Sequence, residues 1–341
     1  MDFRPGKLSQ VQADILKCVL HRASCSVDEI SKLMPYKPHV VRRCLEKLRD
    51  TKTLRKSIFC NFYKLGYVSY NIHFTPRADR HSLVPELINF LVKHPSVSWC
   101  AQRTGDYDYE ISVLSRDLRG VTDLLDDIAD TFGDIIEKKQ FAAELAHNYF
   151  GYKYISDLPV TIPVVQLEES LIRFEIDELD ATLMRVLSVY GDVSLLEVAR
   201  KLKQPATKLT YRKQRLIERG LLLKDTYVLD RCAVVSVPLS VFITVSNHDA
   251  DFRHNFMKFL AEHPNCWCCH RCLGAWDYRV VLHGDSVKQV MSAVDDMKRI
   301  FGGKMLSTWT STLLQEFKYD HFPFDLKTLD LNDSASEARV V

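Results

Sequence analysis

Cys266, Cys268, Cys269, His270 and Cys272 place five side chains able to hold a soft metal within seven consecutive residues. Thiolate and imidazole are the ligand types of zinc and other thiophilic ions. On a strand, period two puts Cys266, Cys268, His270 and Cys272 on one face. Alternate strand positions stand roughly 6–7 Å apart, so four in a row cannot converge on one ion without a bend or a partner. The matching place earlier in the chain holds Val97, Trp99, Ala101 and Arg103, which favours packing. No metal ligand and no cofactor is therefore assigned.

A second candidate is the turn Gly105-Asp106-Tyr107-Asp108-Tyr109, which returns as Gly274-Ala275-Trp276-Asp277-Tyr278. Glycine permits a tight turn between neighbouring strands, and an aspartate opening the next strand can hold backbone amides or an amine. Joined to Arg103 and Thr104, the first turn could grip both ends of a small zwitterion, with guanidinium on carboxylate and Asp106 or Asp108 on ammonium. Gly274 and Asp277 are the corresponding candidates in the second. The plainer reading is a structural hairpin with a capping aspartate.

The third candidate is cationic. Tyr36 to Lys56 carries eight Lys or Arg against two acids, and Lys203 to Lys224 seven against one, a balance of +6 in each. On a helix anchored by Val41, Leu45 and Leu48, the outward residues are His39, Arg42, Arg43 and Glu46, with Lys47 beside them. On its counterpart, anchored by Leu209 and Leu216, they include Thr207, Thr210, Tyr211 and Gln214. Cations neutralise phosphates, and Arg, Gln and Thr also reach base edges in the major groove. Double-stranded DNA is the expected partner, with Arg42, Arg43, Lys47, Arg212, Lys213 and Arg215 on phosphates. The bland alternative, a solvated basic helix, weakens when the run occurs twice at equivalent places.

These candidates recur because the chain repeats. His94, Gly105 and Tyr109 return at 263, 274 and 278, a constant shift of 169 residues. Two long copies exclude a solenoid, which needs several short repeats. Each copy opens with three short helical patterns: Val11, Ile15, Leu16, Val19 and Leu20, then Ser26 before Ile30 and Leu33, then Pro38 before Val41. The second copy repeats them from Leu179, Ser194 and Pro205. With a short ribbon after each third helix, this is a winged helix-turn-helix outline.

Each copy continues as β-α-β-β-α-β. The first has strands near Val68–Phe74, Val97–Arg103, Tyr107–Leu114 and Ile135–Leu145, with helices over Val84–Val92 and Val121–Phe132. The second has Leu239–Val245, Cys266–Cys272, Tyr278–Leu282 and Met305–Phe317, with Phe252–Leu260 and Val287–Phe301. The fold class is α+β, two winged units each followed by a ferredoxin-like sandwich whose bare sheet face needs the other copy as cover. Expected boundaries are 1–62 and 63–158, a linker over 159–174 marked by Pro159 and Pro163, then 175–232, 233–324 and a disordered tail over 325–341.

Composition bounds the rest. Net charge is +2 over 341 residues with 46% hydrophobic and 26% charged, so any attraction to polyanions is local. No run of about 18 apolar residues occurs and the N-terminus lacks an apolar signal region, so a cytoplasmic protein with no membrane partner is expected. Ten cysteines in apolar patterns suit a reducing compartment.

Winged helix-turn-helix, β-α-β-β-α-β sandwich and Gly105-Asp106-Tyr107-Asp108-Tyr109, with Lys64-Leu65-Gly66-Tyr67 before the first strand, resemble the leucine-responsive regulator (Lrp/AsnC) family over nearly all of residues 8–320. The resemblance implies DNA binding by the winged units, dimerisation through the sandwiches, and an amino acid or related metabolite near the glycine turn. It also implies a single-chain pseudo-dimer able to assemble further through sandwich edges. The match is uneven. Cys44 and Lys52 stand where the second copy has family-like Arg212 and Gly220, and Leu273-Gly274-Ala275 replaces Thr104-Gly105-Asp106.

An enzymatic rival shares the outline. Siroheme decarboxylases resemble paired copies of the same architecture and would need His and Arg side chains converging on tetrapyrrole carboxylates. Neither Tyr63-Lys64-Leu65-Gly66-Tyr67 nor Cys232-Ala233-Val234-Val235 offers such a cluster, and His21, His73, His147 and His283 read as scattered core or surface residues. No phosphate loop, nucleophile elbow or His-Glu-x-x-His pair is present, so no catalytic residue is assigned.

Overall fold

The computed structural model describes residues 8–320 except 21, 24, 52, 169–171, 190, 192, 230–234, 247 and 248. The expected tail over 325–341, together with Lys52, His21 and Cys232, lies outside them. In the first winged unit, α1 (Gln10–Val19), α2 (Val27–Ser31) and α3 (Pro38–Asp50) precede strand β1 (Leu54–Cys60). Ser9 and Ser26 accept backbone N–H groups while Gln12 and Glu29 reach back, so capping boxes start α1 and α2; Pro38 opens α3. Ile15, Leu16, Val41, Leu45 and Leu48 pack between these helices.

The first sandwich comprises β2 (Val68–Pro76), α4 (Val84–Lys93), β3 (Val97–Arg103), β4 (Tyr109–Ser115), α5 (Arg119–Phe132) and β5 (Ile136–Tyr149), followed by a short β6 (Val165–Glu168). In the second winged unit, α6 (Glu178–Val189), α7 (Leu195–Lys201) and α8 (Ala206–Glu218) lead to β7 (Leu222–Leu229). The second sandwich is β8 (Val237–Val245), α9 (Ala250–Glu262), β9 (Cys266–Gly274), β10 (Tyr278–Gly284), α10 (Val287–Phe301) and β11 (Met305–Tyr319). Periodicity located every one of these sandwich elements, and β3 and α10 keep the predicted limits. Among the described residues no helix is long and apolar enough to cross a membrane.

Three features differ from the sequence expectation. First, neither winged unit closes its own ribbon: β1 pairs antiparallel with β7, Leu54 opposite Leu229 and Ser57 opposite Thr226. Each unit supplies one strand, whose backbone groups need a partner, and each finds it in the other unit. Ile58 and Cys60 thus pack against Leu183, Met184 and Leu187, while Tyr227 and Leu229 enter the core of the first unit. Arg49 Nη2 also donates to Tyr227 Oη at 2.5 Å.

Second, the sandwiches meet edge to edge. Their sheets run β5-β2-β4-β3 and β11-β8-β10-β9, and β3 pairs with β11 as β9 pairs with β5. Eight antiparallel strands therefore close into a barrel. Outward residues such as Tyr70, Ile72 and Phe74, or Leu239, Val241 and Ile243, pack under the helices. Their alternates, Ser69, Asn71 and His73 on β2 and Glu110 and Ser112 on β4, are buried inside the ring. The two bare faces enclose a shared interior, and the four edge strands proposed as free for assembly are used in closing it.

Third, the segment expected as a bare linker contains β6, whose Glu168 lies opposite Ala146 of β5. The repeated glycines mark both seams. Gly274 has φ +139° and a Cβ there would stand 2.7 Å from Phe141 O; Gly105 has φ +100° and its Cβ would stand 3.0 Å from Thr310 O. Both positions need glycine for backbone angle and for close approach of the opposite sandwich.

Candidate functional site

Inside the barrel, charged side chains are buried together. Arg279 on β10 donates Nη1 to Glu110 Oε1 at 2.5 Å, and both residues are buried. Arg103 donates Nε to Ser311 Oγ at 2.9 Å and stands 3.4 Å from Glu110. Burial alone would raise the Glu110 pKa, but the Arg279 and Arg103 guanidiniums hold it below the ordinary carboxylate value. His73 Nε2 lies 3.5 Å from Glu110, within a ring of Tyr107, Phe242, Trp276 and Trp309, and neither ring nitrogen makes a hydrogen bond among the described residues. Burial, aided by Arg103 and Arg279, pushes its pKa down to about 3, so the imidazole is neutral.

At the seam of β5 with β9, Glu144 stands between two imidazoles. Its Oε2 is 2.5 Å from His147 Nε2 and its Oε1 is 2.5 Å from His270 Nδ1. The rings stack with centroids 4.2 Å apart, and Asn71 Nδ2 also donates to Glu144. Burial opposes ionisation of Glu144, yet the two imidazoles hold its pKa well below the usual range. For His270, burial outweighs the attraction of Glu144 and lowers the value to about 4. We therefore assign an ionised Glu144 carboxylate beside a neutral His270 ring at neutral pH.

Glu144 and His147 are three apart, which on a regular strand points them to opposite faces. A register shift between Glu144 and Ala146, opposite Cys272 and Arg271, inserts one extra residue and turns both inward. This is why sequence reading missed the pair: a bulge leaves no mark in period-two patterning. A second shift, where Val281 and Leu282 face Cys268 and Cys266, splits the expected cysteine face. Cys266 packs with Cys269 in the helix-side core, while Cys268, His270 and Cys272 line the interior side. Burial raises Cys266 to about 12 and drives Cys269 and Cys272 well above the ordinary thiol value, so these are protonated packing groups. All nine described cysteines are free thiols.

This cluster borders a cavity of about 120 Å³ that opens to solvent. Arg103, Glu144, His147, His270 and Arg279 give it a polar wall, and Trp99, Trp267 and Leu313 an apolar one. Phe59, Cys60 and Phe62 extend it to the first winged unit. The His and Arg convergence that sequence reading sought near Tyr63 and Cys232 is found here instead.

The other chosen residues lie elsewhere. His39, Arg42, Arg43 and Lys47 are exposed on α3, as are Thr207, Thr210 and Tyr211 on α8. Lys213 is half-buried, and Arg212 and Arg215 are tied inward: Arg212 Nη1 donates to Asp177 and Asp180 at 2.7 Å, and Arg215 Nη2 to Asp180 at 3.3 Å. Thr104, Gly105, Asp106 and Asp108 are exposed at the turn, whereas Arg103 faces the interior. Asp277 accepts the backbone N–H of Val245 at 2.8 Å, the capping arrangement. Gly274 sits exposed at the seam with Phe141. The structure thus does not gather Arg103 and the turn aspartates on one face.

Residues 239–321 match the Lrp/AsnC ligand binding domain. The HTH-type transcriptional regulator LrpC of Bacillus subtilis (strain 168) is 24% identical over 116 residues, 34% of this chain and 79% of that protein. The crystal structure of the siroheme decarboxylase NirDL superposes with a TM-score of 0.60 at 14% identity, covering 92% of this chain and 94% of that one. Its co-complex with an iron-uroporphyrin III analogue gives 0.58 at 14% identity over 92% and 93%. At such identity the likeness is one of fold. Residues 239–321 thus resemble an Lrp/AsnC ligand binding domain, and part of the chain is similar to the regulator LrpC.

Proposed function

We propose that the chain is a DNA-binding transcriptional regulator of Lrp/AsnC type, a single-chain pseudo-dimer that responds to an amino acid or related small metabolite. One observation carries this reading: the third helix of each winged unit presents an exposed face, and the shared β1–β7 ribbon sets the two heads at a fixed separation. The heads are unequal. α3 offers His39, Arg42, Arg43 and Lys47, whereas α8 offers Thr207, Thr210 and Tyr211, its Arg212 and Arg215 being bound to aspartates. Unlike half-sites follow, with phosphate contact concentrated on the first.

Arg42→Ala with Arg43→Ala should lower affinity for a duplex selected from a random pool at least tenfold at moderate salt, and reduce the slope of log affinity against log salt by about 1.8. Fluorescence anisotropy across a salt series measures both. An unchanged slope removes the assignment.

A second reading, tetrapyrrole carboxylate chemistry, is favoured by the cavity wall of His147, His270, Arg103 and Arg279. Adding siroheme to the purified protein separates the two. The regulator reading expects the absorption band of the free compound to persist; a shifted band with release of carbon dioxide supports the enzyme.

A further inference from the structure

We propose that Glu144, His147 and His270 form a binding site for a divalent transition-metal ion, zinc foremost, with one coordination position open to the barrel cavity. One ligand atom from each of the three residues lies within 4.8 Å of the others, and all three residues are buried. Two imidazoles and one carboxylate with an open position are a ligand set of zinc and of ferrous iron. The site goes beyond the regulator reading and does not depend on it.

The outer nitrogens of both rings already have partners. His147 Nδ1 lies 3.3 Å from Tyr149 Oη, and His270 Nε2 lies 3.3 Å from Cys268 Sγ. A metal-bound histidine needs its proton on the nitrogen away from the ion and a partner to hold it there. A proton on that outer nitrogen leaves Nε2 of His147 and Nδ1 of His270 free to face the ion. The rings lie 15° from parallel, so one imidazole tilts as the ion enters.

The triad exists once although the fold repeats. At the other seam, 169 residues away in sequence, Glu144 corresponds to Leu313, His147 to Glu316 and His270 to Ala101. Two ligands come from β5 and one from β9, with His147 directly opposite His270, so the ion would clip the sandwiches together at this seam. Glu110 and Glu144 already balance Arg103 and Arg279. An added divalent charge calls for an anion at the open position, hydroxide or the carboxylate of a ligand in the cavity.

The test titrates cobalt(II) into reduced, chelator-stripped full-length protein, following visible absorption, with zinc competition and thermal unfolding alongside. The expected result is one equivalent bound per chain and an unfolding temperature raised by zinc. His147→Gln with His270→Gln should weaken binding at least a hundredfold, and Tyr149→Phe, the milder change, about tenfold. Glu316→Gln at the opposite seam should leave it unchanged. Absence of a bound equivalent, or binding that survives the double substitution and Tyr149→Phe alike, overturns the site. Binding lost only in Cys25→Ser, the exposed thiol, overturns it as well.

Discussion

Arg279→Met should destabilise the protein by about 3–5 kcal/mol, the usual cost of leaving a buried carboxylate without its partner. Arg279 holds Glu110 at 2.5 Å and 3.3 Å with both residues buried, and its guanidinium also lies 5.4 Å from the ring centre of Trp99. The methionine replaces the stem but not the charge. Adding Glu110→Leu should recover most of the loss, because removing both charges also removes the desolvation that their attraction offsets. Urea unfolding of the two single variants and the double gives the coupling. A single variant within about 1 kcal/mol of the native protein would mean that the pair is hydrated, contrary to its burial.

Acid should destabilise the fold before its carboxylates titrate, and His73 should account for a definite share. Its pKa is about 3 in the folded protein, against an ordinary value of 6.5. Between those values the unfolded chain binds a proton that the folded one excludes, so stability falls as pH drops from 6.5 toward 3. Glu110 faces the ring at 3.5 Å, with Arg103, Arg279 and Glu144 the other charges acting on it. Glu110, whose pKa is lowered, contributes in the same direction only below its ordinary value of 4.5. His270 adds a second proton over roughly the same range as His73.

The second repeat carries Phe242 at the place of His73, so His73→Phe is the natural substitution. It should lessen the slope of stability against pH by about 1.4 kcal/mol per unit, one proton, between pH 4.5 and 6. Denaturant midpoints at several pH values read this directly. An unaltered slope would show that the ring is protonated when folded.

Much of this architecture was legible because the sandwich elements obey simple periods. Alternation in Val68–Phe74, the apolar run ending Tyr278–Leu282, and helical spacing in Val287–Phe301 located elements that differ from the observed ones by a few residues at most. Pairing was less legible, since β1 and β7 look like ordinary wing strands and nothing local says that each completes the other's ribbon. The polar cluster was least legible. Glu144 and His147 share a face because of a bulge at Leu145, and Cys266 leaves the face of Cys268 because of another at Trp267. Both depend on which residue of a distant strand lies opposite, information that no window along the chain contains.

A ring of strands has no first or last member. Had the halves been separate polypeptides, β3, β5, β9 and β11 would each show an unpaired backbone rim until collision with another molecule covered it. Covalent linkage makes that closure a first-order event, so dilution cannot reopen it, and the two halves are released from having to complement themselves. Glutamate at 110 meeting arginine at 279 is such a liberty: a symmetric pair would set like charge against like at that place.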